Sequence, residues 1–239
     1  QTGGEVIFDA SGEFKDGYAT FYMPFDTYTF KMTGGTLKIS GSANSNDDGD
    51  GDVFAVNCNP ENSKITGGEI ILITKNRKRS HGISCSIPLY NLTLSNPDNL
   101  TPSGNGNNDY KFFFKDYHGT VNRRTIQITI PMSEIQILNN LTIGDNVTFN
   151  ANDRNVLIGG NLNIAPTAKV YLGNNEVKFN GDGSHIQQFT STTTDKVRSG
   201  GSNATTGYNN LTIADGADVQ INSDIIVNGL FTLGDGAIM

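Results

Sequence analysis

The residues best suited to binding a metal ion lie in the acidic segment 46–52, which reads Asn-Asp-Asp-Gly-Asp-Gly-Asp. Asp48, Asp50 and Asp52 stand at alternate positions in it. Calcium takes about six to eight oxygen ligands, and the carboxylates of a D-x-D-x-D loop can converge on it. The segment is not an EF-hand, because Val53 occupies the position of that motif's invariant glycine. The pattern therefore predicts either a calcium site on these three carboxylates or a solvated acidic turn, and calcium is the one cofactor it suggests.

The two cysteines, Cys58 and Cys85, are the second candidate for chemistry. Two thiols cannot form a structural zinc site without histidine partners at suitable spacing, and the sequence provides none. In an extracellular chain the pair can form a disulfide between neighbouring repeats. The alternative is two buried thiols without a bond, and the sequence leaves both interpretations open.

Catalytic motifs are missing from the sequence. It contains no H-E-x-x-H, G-x-S-x-G or phosphate-binding loop, and each of its three histidines lies in a glycine-containing turn. Parallel β-helix polysaccharide lyases and hydrolases use Asp clusters with Arg or Lys, and Asp116, Arg123 and Arg124 could be assigned such roles. Sequence spacing does not show that side chains converge, however, and surface charge is the simpler explanation. We therefore predict that the protein is not an enzyme and has no catalytic residue.

The composition indicates that the elements holding these groups are β-strands. Trp is absent, only 17% of the residues are charged, and Gly accounts for 28 of 239. Asn, Thr, Ser and Gly fill the places of helix-forming residues, and they favour turns over helix interiors. The net charge of −7 argues against a nucleic-acid partner. Because no apolar run reaches 18 residues, we also expect no membrane-spanning helix.

A short sequence motif, which we call the repeat phrase, recurs along the chain. Asn-Leu-Thr-(Ile/Leu) occurs at 91–94, 140–143 and 210–213, and Thr-Gly-Gly opens strand-like segments at 33–35 and 66–68. Repetition of this kind predicts one supersecondary unit built many times. Each Asn-Leu-Thr is formally an N-glycosylation sequon, but an Asn that turns a corner and a Thr that faces outward explain it structurally.

The spacing of apolar pairs predicts the architecture. Leu162 follows Leu141 by 21 residues, Phe231 follows Leu211 by 20, and each interval contains three apolar pairs of the strand type. Three short strands per lap of about 20 residues describe an all-β, right-handed parallel β-helix or solenoid, and a β-sandwich is the alternative. Residues at one phase should form a single inward-facing column, with laps about 4.8 Å apart. The predicted column consists of Leu141, Ile143, Leu162, Ile164, Leu211 and Ile213.

The chain divides into three parts by regularity. Residues 1–30 are rich in aromatic side chains and lack the repeat phrase, so they should form an N-terminal cap or the end of a preceding unit. Residues 31–137 should form irregular solenoid laps with insertions. Residues 138–239 should form regular laps that stop in mid-lap, and we therefore expect the chain to be part of a longer protein.

Two stretches interrupt the regular pattern. Asp182–Gly207 is too polar to pack and is predicted to be a corner loop, of the kind that often forms a binding face. Tyr110–Phe114 and Thr125–Ile130 resemble two longer strands on either side of the turn Asp116–Asn122. They should form either a projecting hairpin or a wider lap.

The phrases at 30–37, 86–93 and 208–213 carry a family resemblance. Together they resemble repeats of the giant cell-surface adhesins of Bacteroidetes bacteria, such as SprB-like gliding-motility adhesins and related cargo of the type IX secretion system. The resemblance covers most of residues 28–239. It implies a filamentous or stalk-like adhesin, extracellular and at the bacterial cell surface. Its partners would be surface glycans or the substratum, and the type IX secretion and motility machinery.

Two functions follow as expectations. The first is an extracellular structural and adhesive repeat module, which the repetition and the acidic charge favour, and which would serve in surface attachment or gliding motility. The alternative is a carbohydrate-binding or polysaccharide-degrading β-helix protein, favoured by the acidic loop and by Tyr110, Phe112 and Tyr117, which we expect to be exposed. The Thr-Gly-Gly strands are also similar to calcium-associated, carbohydrate-binding β-helix domains.

Overall fold

The fold is that of a computed structural model of residues 1–239. The structure describes residues 1–9, 20–23, 28–40, 51–75, 81–99, 112–121, 126–130, 132, 134–191, 197–199 and 205–239. These residues contain β-strands and no helix. The predicted all-β class is therefore confirmed, and so is the prediction of parallel strands.

The strands form three large sheets and one separate hairpin. Sheet 1 contains, in spatial order, β1 Glu5–Asp9, β3 Lys31–Ser40, β5 Lys64–Ile73, β7 Asn91–Ser95, β12 Leu141–Ile143, β15 Leu162–Ile164, β18 Gln187–Thr190 and β22 Val219–Ile221. Sheet 2 contains β2 Phe21–Met23, β4 Gly51–Val56, β6 His81–Cys85, β8 Phe112–Phe114, β13 Thr148–Asn150, β16 Lys169–Gly173, β19 Val197–Ser199 and β20 Thr205–Thr206. Sheet 3 contains β11 Glu134–Ile137, β14 Asn155–Ile158, β17 Glu176–Phe179, β21 Asn210–Ile213 and β23 Phe231–Leu233, and the hairpin is β9 Tyr117–Val121 with β10 Ile126–Ile130.

The strands enter the three sheets in a fixed rotation. From β11 to β19, consecutive strands belong to sheets 3, 1 and 2 in that order, three times over. Neighbouring strands within each sheet are parallel, except that β19 and β20 are antiparallel. We call the chain from one strand of sheet 1 to the next a repeat. Each repeat therefore adds one strand to each sheet it enters, and we call each such strand a row of the sheet.

One predicted set of core contacts is confirmed. Leu141 pairs in register with Leu162, and Ile143 with Ile164, in neighbouring strands of sheet 1. All four side chains are buried, as expected, because residues two apart in a strand face the same side. The interval from Leu141 to Leu162 is therefore one repeat.

The other two predicted members, Leu211 and Ile213, face inward as predicted but do not belong to that column. Leu211 and Ile213 are buried, but they lie in sheet 3, where Leu211 pairs with Val177. The partner of Leu162 in sheet 1 is Phe189. The physical reason is that an Asn followed by alternating apolar residues can begin a strand in any of the sheets, so the phrase does not identify the sheet.

Aromatic side chains fill the space between the sheets. Phe114 and Phe149 of sheet 2 meet edge to face, with ring centroids 4.8 Å apart. Phe189 of sheet 1 lies 5.0 Å from Phe179 of sheet 3 and 5.5 Å from Tyr208, again measured between ring centroids. All five side chains belong to one buried cluster. The sheets therefore share a single core, which aromatic contacts of this geometry stabilise beyond simple burial.

Residues 1–30, predicted as a cap or the end of a preceding unit, contribute strands to sheets 1 and 2. In β1, Val6 pairs with Leu37 and Phe8 with Ile39 of β3, and β2 pairs with β4 in sheet 2. Val6 and Phe8 are exposed although they continue an inward-facing column. The reason is that β1 is the edge strand of sheet 1 and is covered on one side only.

Of the two alternatives for Tyr110–Phe114 and Thr125–Ile130, the hairpin between them is wrong. β8 lies in sheet 2, parallel to β6 and β13. The antiparallel hairpin is formed by β9 and β10, and β9 occupies most of the predicted turn Asp116–Asn122. Its polar residues and its glycine suggested a loop, but the hydrogen bonds of an antiparallel partner hold them as a strand.

Candidate functional surface

Most of the predicted polar site residues fall outside the part of the chain that the structure describes. Asp48 and Asp50 lie in the segment 41–50, and only the backbone of Asp52 is described. The calcium site therefore stays a prediction. Arg123 and Arg124 are likewise outside the described residues. Within the described residues, no group of three or more His, Cys, Asp or Glu side chains could hold a metal ion.

Cys58 and Cys85 are buried free thiols, which is the second of the two alternatives that the sequence leaves open. Cys85 pairs in register with Val56, so Cys58 lies two positions beyond the residue opposite Cys85. The Cys58 thiol donates to Met23 Sδ at 3.9 Å, and the Cys85 thiol donates to the Ile87 carbonyl at 3.1 Å. Burial raises the pKa of both thiols, that of Cys85 to about 12. Because the thiolate is the reactive form, this environment suppresses nucleophilic chemistry.

Asp116, the described member of the candidate catalytic group, holds two parts of the fold together. Its Oδ1 accepts a hydrogen bond from Arg154 Nη2 at 2.6 Å and from the Met132 backbone N–H at 3.0 Å. Arg154 Nη1 also donates to the carbonyls of Phe114 and Asn152. The guanidinium therefore connects the end of β8 to the corner after β13. This arrangement explains both charges as a structural ion pair.

A ladder of asparagine side chains links successive repeats along sheet 1. Asn91 Oδ1 accepts the backbone N–H of Asn140 at 3.0 Å, and Asn140 Oδ1 accepts that of Asn161 at 2.9 Å. Asn161 Oδ1 then accepts the backbone N–H of Gln188 at 2.7 Å. Each asparagine thus satisfies a backbone donor at the start of the next strand, a group that would be costly to leave unpaired.

Sheet 3 repeats the same device. Asn155 Oδ1 accepts the backbone N–H of Glu176 at 3.0 Å, and Asn210 Oδ1 accepts that of Leu230 at 2.9 Å. The intervals are 21 and 20 residues. The Asn-Leu-Thr phrase marks Asn91, Asn140 and Asn210 of these ladders, but not Asn155 or Asn161, and it does not show which group the amide binds.

The threonine of the phrase also reaches across to the preceding repeat. Thr93 Oγ1 donates to Glu69 Oε1 at 2.6 Å in sheet 1, and Thr212 Oγ1 donates to Glu176 Oε1 in sheet 3. Both bonds lie on outer faces, where the side chains are half-buried. In the copies at 91–94 and 210–213, the Asn and the Thr therefore both have structural partners, which agrees with the structural explanation of these two sequons.

The expectation that Phe112 is exposed is wrong. Its side chain is completely buried, and in sheet 2 it pairs with His81 and Phe149. Tyr110 and the side chain of Tyr117 lie outside the described residues. Three consecutive phenylalanines occur in β8, and alternation turns only the middle one outward. The sequence does not show which of the three that is.

Phe113 is the phenylalanine that faces outward, and it begins a column of larger side chains on the outer face of sheet 2. Phe113 pairs with Asn150, and Asn150 pairs with Tyr171 in the next strand. All three side chains are half-buried, while the residues on either side of Phe113 are buried. We call these three residues the aromatic column. It places two rings on one sheet face with an amide between them.

Comparison with known proteins finds no family model, curated protein or solved structure that matches this chain. Fold and function therefore do not transfer from a relative. Among the described residues, no helix is long and apolar enough to cross a membrane.

Proposed function

We propose that this chain is an extracellular structural and adhesive repeat module of a large bacterial cell-surface protein, used in surface attachment or gliding motility. The observation that carries the proposal is the recurring hydrogen bond that an asparagine side-chain oxygen accepts from a backbone N–H of the next repeat, as Asn140 does from Asn161. Each unit of such a chain contacts only its neighbours, so length can be gained by adding units. Length is what a stalk requires, and catalysis is not part of the proposal.

In this proposal the architecture is a right-handed parallel β-helix with three strands per lap. Two observations support it: the rotation of strands through sheets 3, 1 and 2, and the parallel pairing of strands from successive repeats. A β-sandwich would instead place antiparallel strands side by side in each sheet. The described neighbours in sheets 1 and 3 are all parallel.

The hydrogen bonding suits a stalk that carries tension. Backbone hydrogen bonds between strands run in the direction in which the repeats stack. Tension along that direction is shared among the sheets and the asparagine ladders, of which the bond from Asn140 to Asn161 is one step. A stack of this kind resists extension better than a chain of single contacts would.

The outer face of sheet 1 supports an adhesive role. Thr142, Asn163 and Thr190 lie side by side in consecutive rows and face outward. Uncharged hydroxyl and amide groups in a regular row can hydrogen-bond to surface glycans or to a hydrated substratum. Export by the type IX secretion system rests on the resemblance of the repeat phrases alone.

Two experiments test the proposal. Antibodies against this chain should label intact cells of the source bacterium, and the labelling should disappear when type IX secretion is disabled. Beads coated with the folded chain should be retained under flow on a polysaccharide-coated surface more strongly than beads coated with the heat-unfolded chain. Labelling only after cell lysis, or equal retention of the two kinds of bead, would contradict the proposal.

A further inference from the structure

We propose that the aromatic column binds one chain of a neutral β-1,4-linked glycan. The glycan would lie across the strands, parallel to the direction in which the repeats stack. Phe113 and Tyr171 would each stack on one sugar ring, and Asn150 would hydrogen-bond to the sugar between them. This inference rests on the adhesive function proposed above and names the chemical class of the partner.

The register of sheet 2 sets the distance between the two rings. Phe113 pairs with Asn150, which pairs with Tyr171, so the two aromatic residues are two rows apart. Rows of a sheet are about 4.8 Å apart, which gives about 9.6 Å between the two backbone positions. That separation is close to the length of one disaccharide in an extended β-1,4-linked chain. Since every second sugar of such a chain presents the same face, two rings at this spacing meet equivalent sugar faces.

The chemistry of the three side chains is that of a glycan subsite. The C–H face of a pyranose is apolar and packs on an aromatic ring, which buries apolar surface on both sides. Asn150 Oδ1 accepts the Asn152 backbone N–H at 2.8 Å, which fixes the orientation of the amide. Its Nδ2 has no acceptor among the described residues, and it can donate to a sugar hydroxyl. The three side chains carry no charge, which suits a neutral sugar, and a charged residue, Arg198, is the partner of Tyr171 in the next row.

The other outer faces do not combine rings in this way at the corresponding rows. In sheet 3, Leu157 pairs with Lys178, and these outward side chains offer one aliphatic and one charged group. In sheet 1, the corresponding residues are Thr142 and Asn163. These strands form without an aromatic side chain on their outer face. The pair of rings in sheet 2 therefore points to a role beyond packing.

The test uses the full chain and measures binding to cellohexaose in solution and to insoluble cellulose and chitin, with α-linked starch as a comparison. We expect binding to the β-1,4-linked glycans and not to starch. Phe113→Ala and Tyr171→Ala should each weaken binding by about tenfold or more. Leu157→Ala is the matched control, since it removes an outward, half-buried apolar side chain from sheet 3, and it should leave binding unchanged.

A double variant tests the spacing itself. Asn150→Tyr combined with Tyr171→Asn keeps two rings on the face but brings them into adjacent rows, about 4.8 Å apart. It should lose binding as completely as Tyr171→Ala, while its melting temperature shows that it still folds. Full binding by the double variant, or binding unaffected by both single variants, would overturn the inference. If the wild-type chain binds none of these glycans but its beads are still retained under flow, the inference fails and the adhesive function stands.

Discussion

Asn140 Oδ1 lies 2.9 Å from the backbone nitrogen of Asn161, the residue 21 positions later that directly precedes β15, the next strand of sheet 1. The bond makes the side chain of one repeat the hydrogen-bond partner of the following repeat. Asn140 is itself held in the same way, because its backbone N–H donates to Asn91 Oδ1. Each step of this ladder therefore depends on the step before it.

Replacing Asn140 tests the ladder. Asn140→Ala leaves the part-buried N–H of Asn161 without its acceptor and should lower the free energy of unfolding by about 1–2 kcal/mol. Asn140→Asp keeps an acceptor oxygen and should cost less. Asn180→Ala, at an exposed position, is the control and should change stability by less than about 0.5 kcal/mol. Urea denaturation measures all three, and an equal loss for Asn140→Ala and Asn180→Ala would contradict the structural role of the ladder.

Replacing Gln187 tests how much a buried polar side chain in the core contributes to stability. Its Nε2 donates to the carbonyls of Ile158 and Gly160 at 2.9 and 2.7 Å, and its Oε1 accepts the Gly181 N–H at 2.9 Å. Gln187→Leu matches the apolar character of the neighbouring core but leaves three backbone groups without a hydrogen-bond partner. It should therefore lower the free energy of unfolding by about 3 kcal/mol or more. Gln220→Leu, on the exposed side of the next strand, should be nearly neutral. Equal midpoints in urea for the two variants would show that these hydrogen bonds contribute little.

Gln187 also shows where prediction from the sequence reaches its limit. Apolar pairs identified the strands that contain Leu141 and Leu162, because their inward residues are aliphatic and 21 residues apart. The next strand of sheet 1 begins with Gln187, a fully buried side chain whose partners are all backbone groups. An inward glutamine breaks the apolar pattern, so the spacing of apolar pairs alone predicts the wrong sheet for Leu211.

The sequence predicts the candidate surface only in part, because it does not show the register of every strand. The recurring Asn and Thr marked the residues of the ladder, and their spacing indicated contacts between repeats. Which phenylalanine of β8 faces outward depends on the register with β6 and β13, which consecutive identical residues do not encode. The sequence consequently favoured Phe112, whereas Phe113 is the outward residue.

The buried thiol of Cys85 predicts a loss of stability at high pH. Burial raises its pKa in the folded state from 9.0 to about 12. A group whose folded pKa is raised stabilises the fold below its unfolded pKa, and that stability is lost as the pH rises through the folded pKa. The free energy of unfolding should therefore fall between about pH 9 and pH 12, and Cys85→Ala should make that fall shallower.

The buried hydroxyl of Tyr208 provides a comparison for the pH dependence of stability. Burial also raises the pKa of Tyr208, whose hydroxyl lies 3.2 Å from Ser191 Oγ. Tyr208→Phe should therefore remove a separate part of the decline, at higher pH than the part removed by Cys85→Ala. Urea midpoints measured from pH 8 to pH 11 give both slopes. A Cys85→Ala slope identical to that of the wild type would contradict the role assigned to the thiol.

The acidic loop predicts a calcium effect. If Asp48, Asp50 and Asp52 bind the ion, calcium should raise the melting temperature, because a ligand that binds only the folded state stabilises it by mass action. Asp50→Asn should abolish that increase and leave the melting temperature in chelator unchanged or slightly higher, since one repulsive charge is removed. Differential scanning calorimetry with calcium and with chelator measures the effect. The same melting temperature in both would identify the loop as a solvated acidic turn.

The stacking of repeats is tested most directly by one distance across sheet 1. Lys38 and Thr190 are 152 residues apart in the sequence. In-register pairs connect them through Ile71, Thr93, Thr142 and Asn163. Five rows separate the two positions, so their Cα atoms should be about 24 Å apart. Spin labels on cysteines introduced there, in a chain whose two buried cysteines are replaced by alanine, report the distance by double electron–electron resonance. A narrow distribution near that value is the result we predict, and a broad one, or one centred beyond about 35 Å, would contradict a stack of parallel rows.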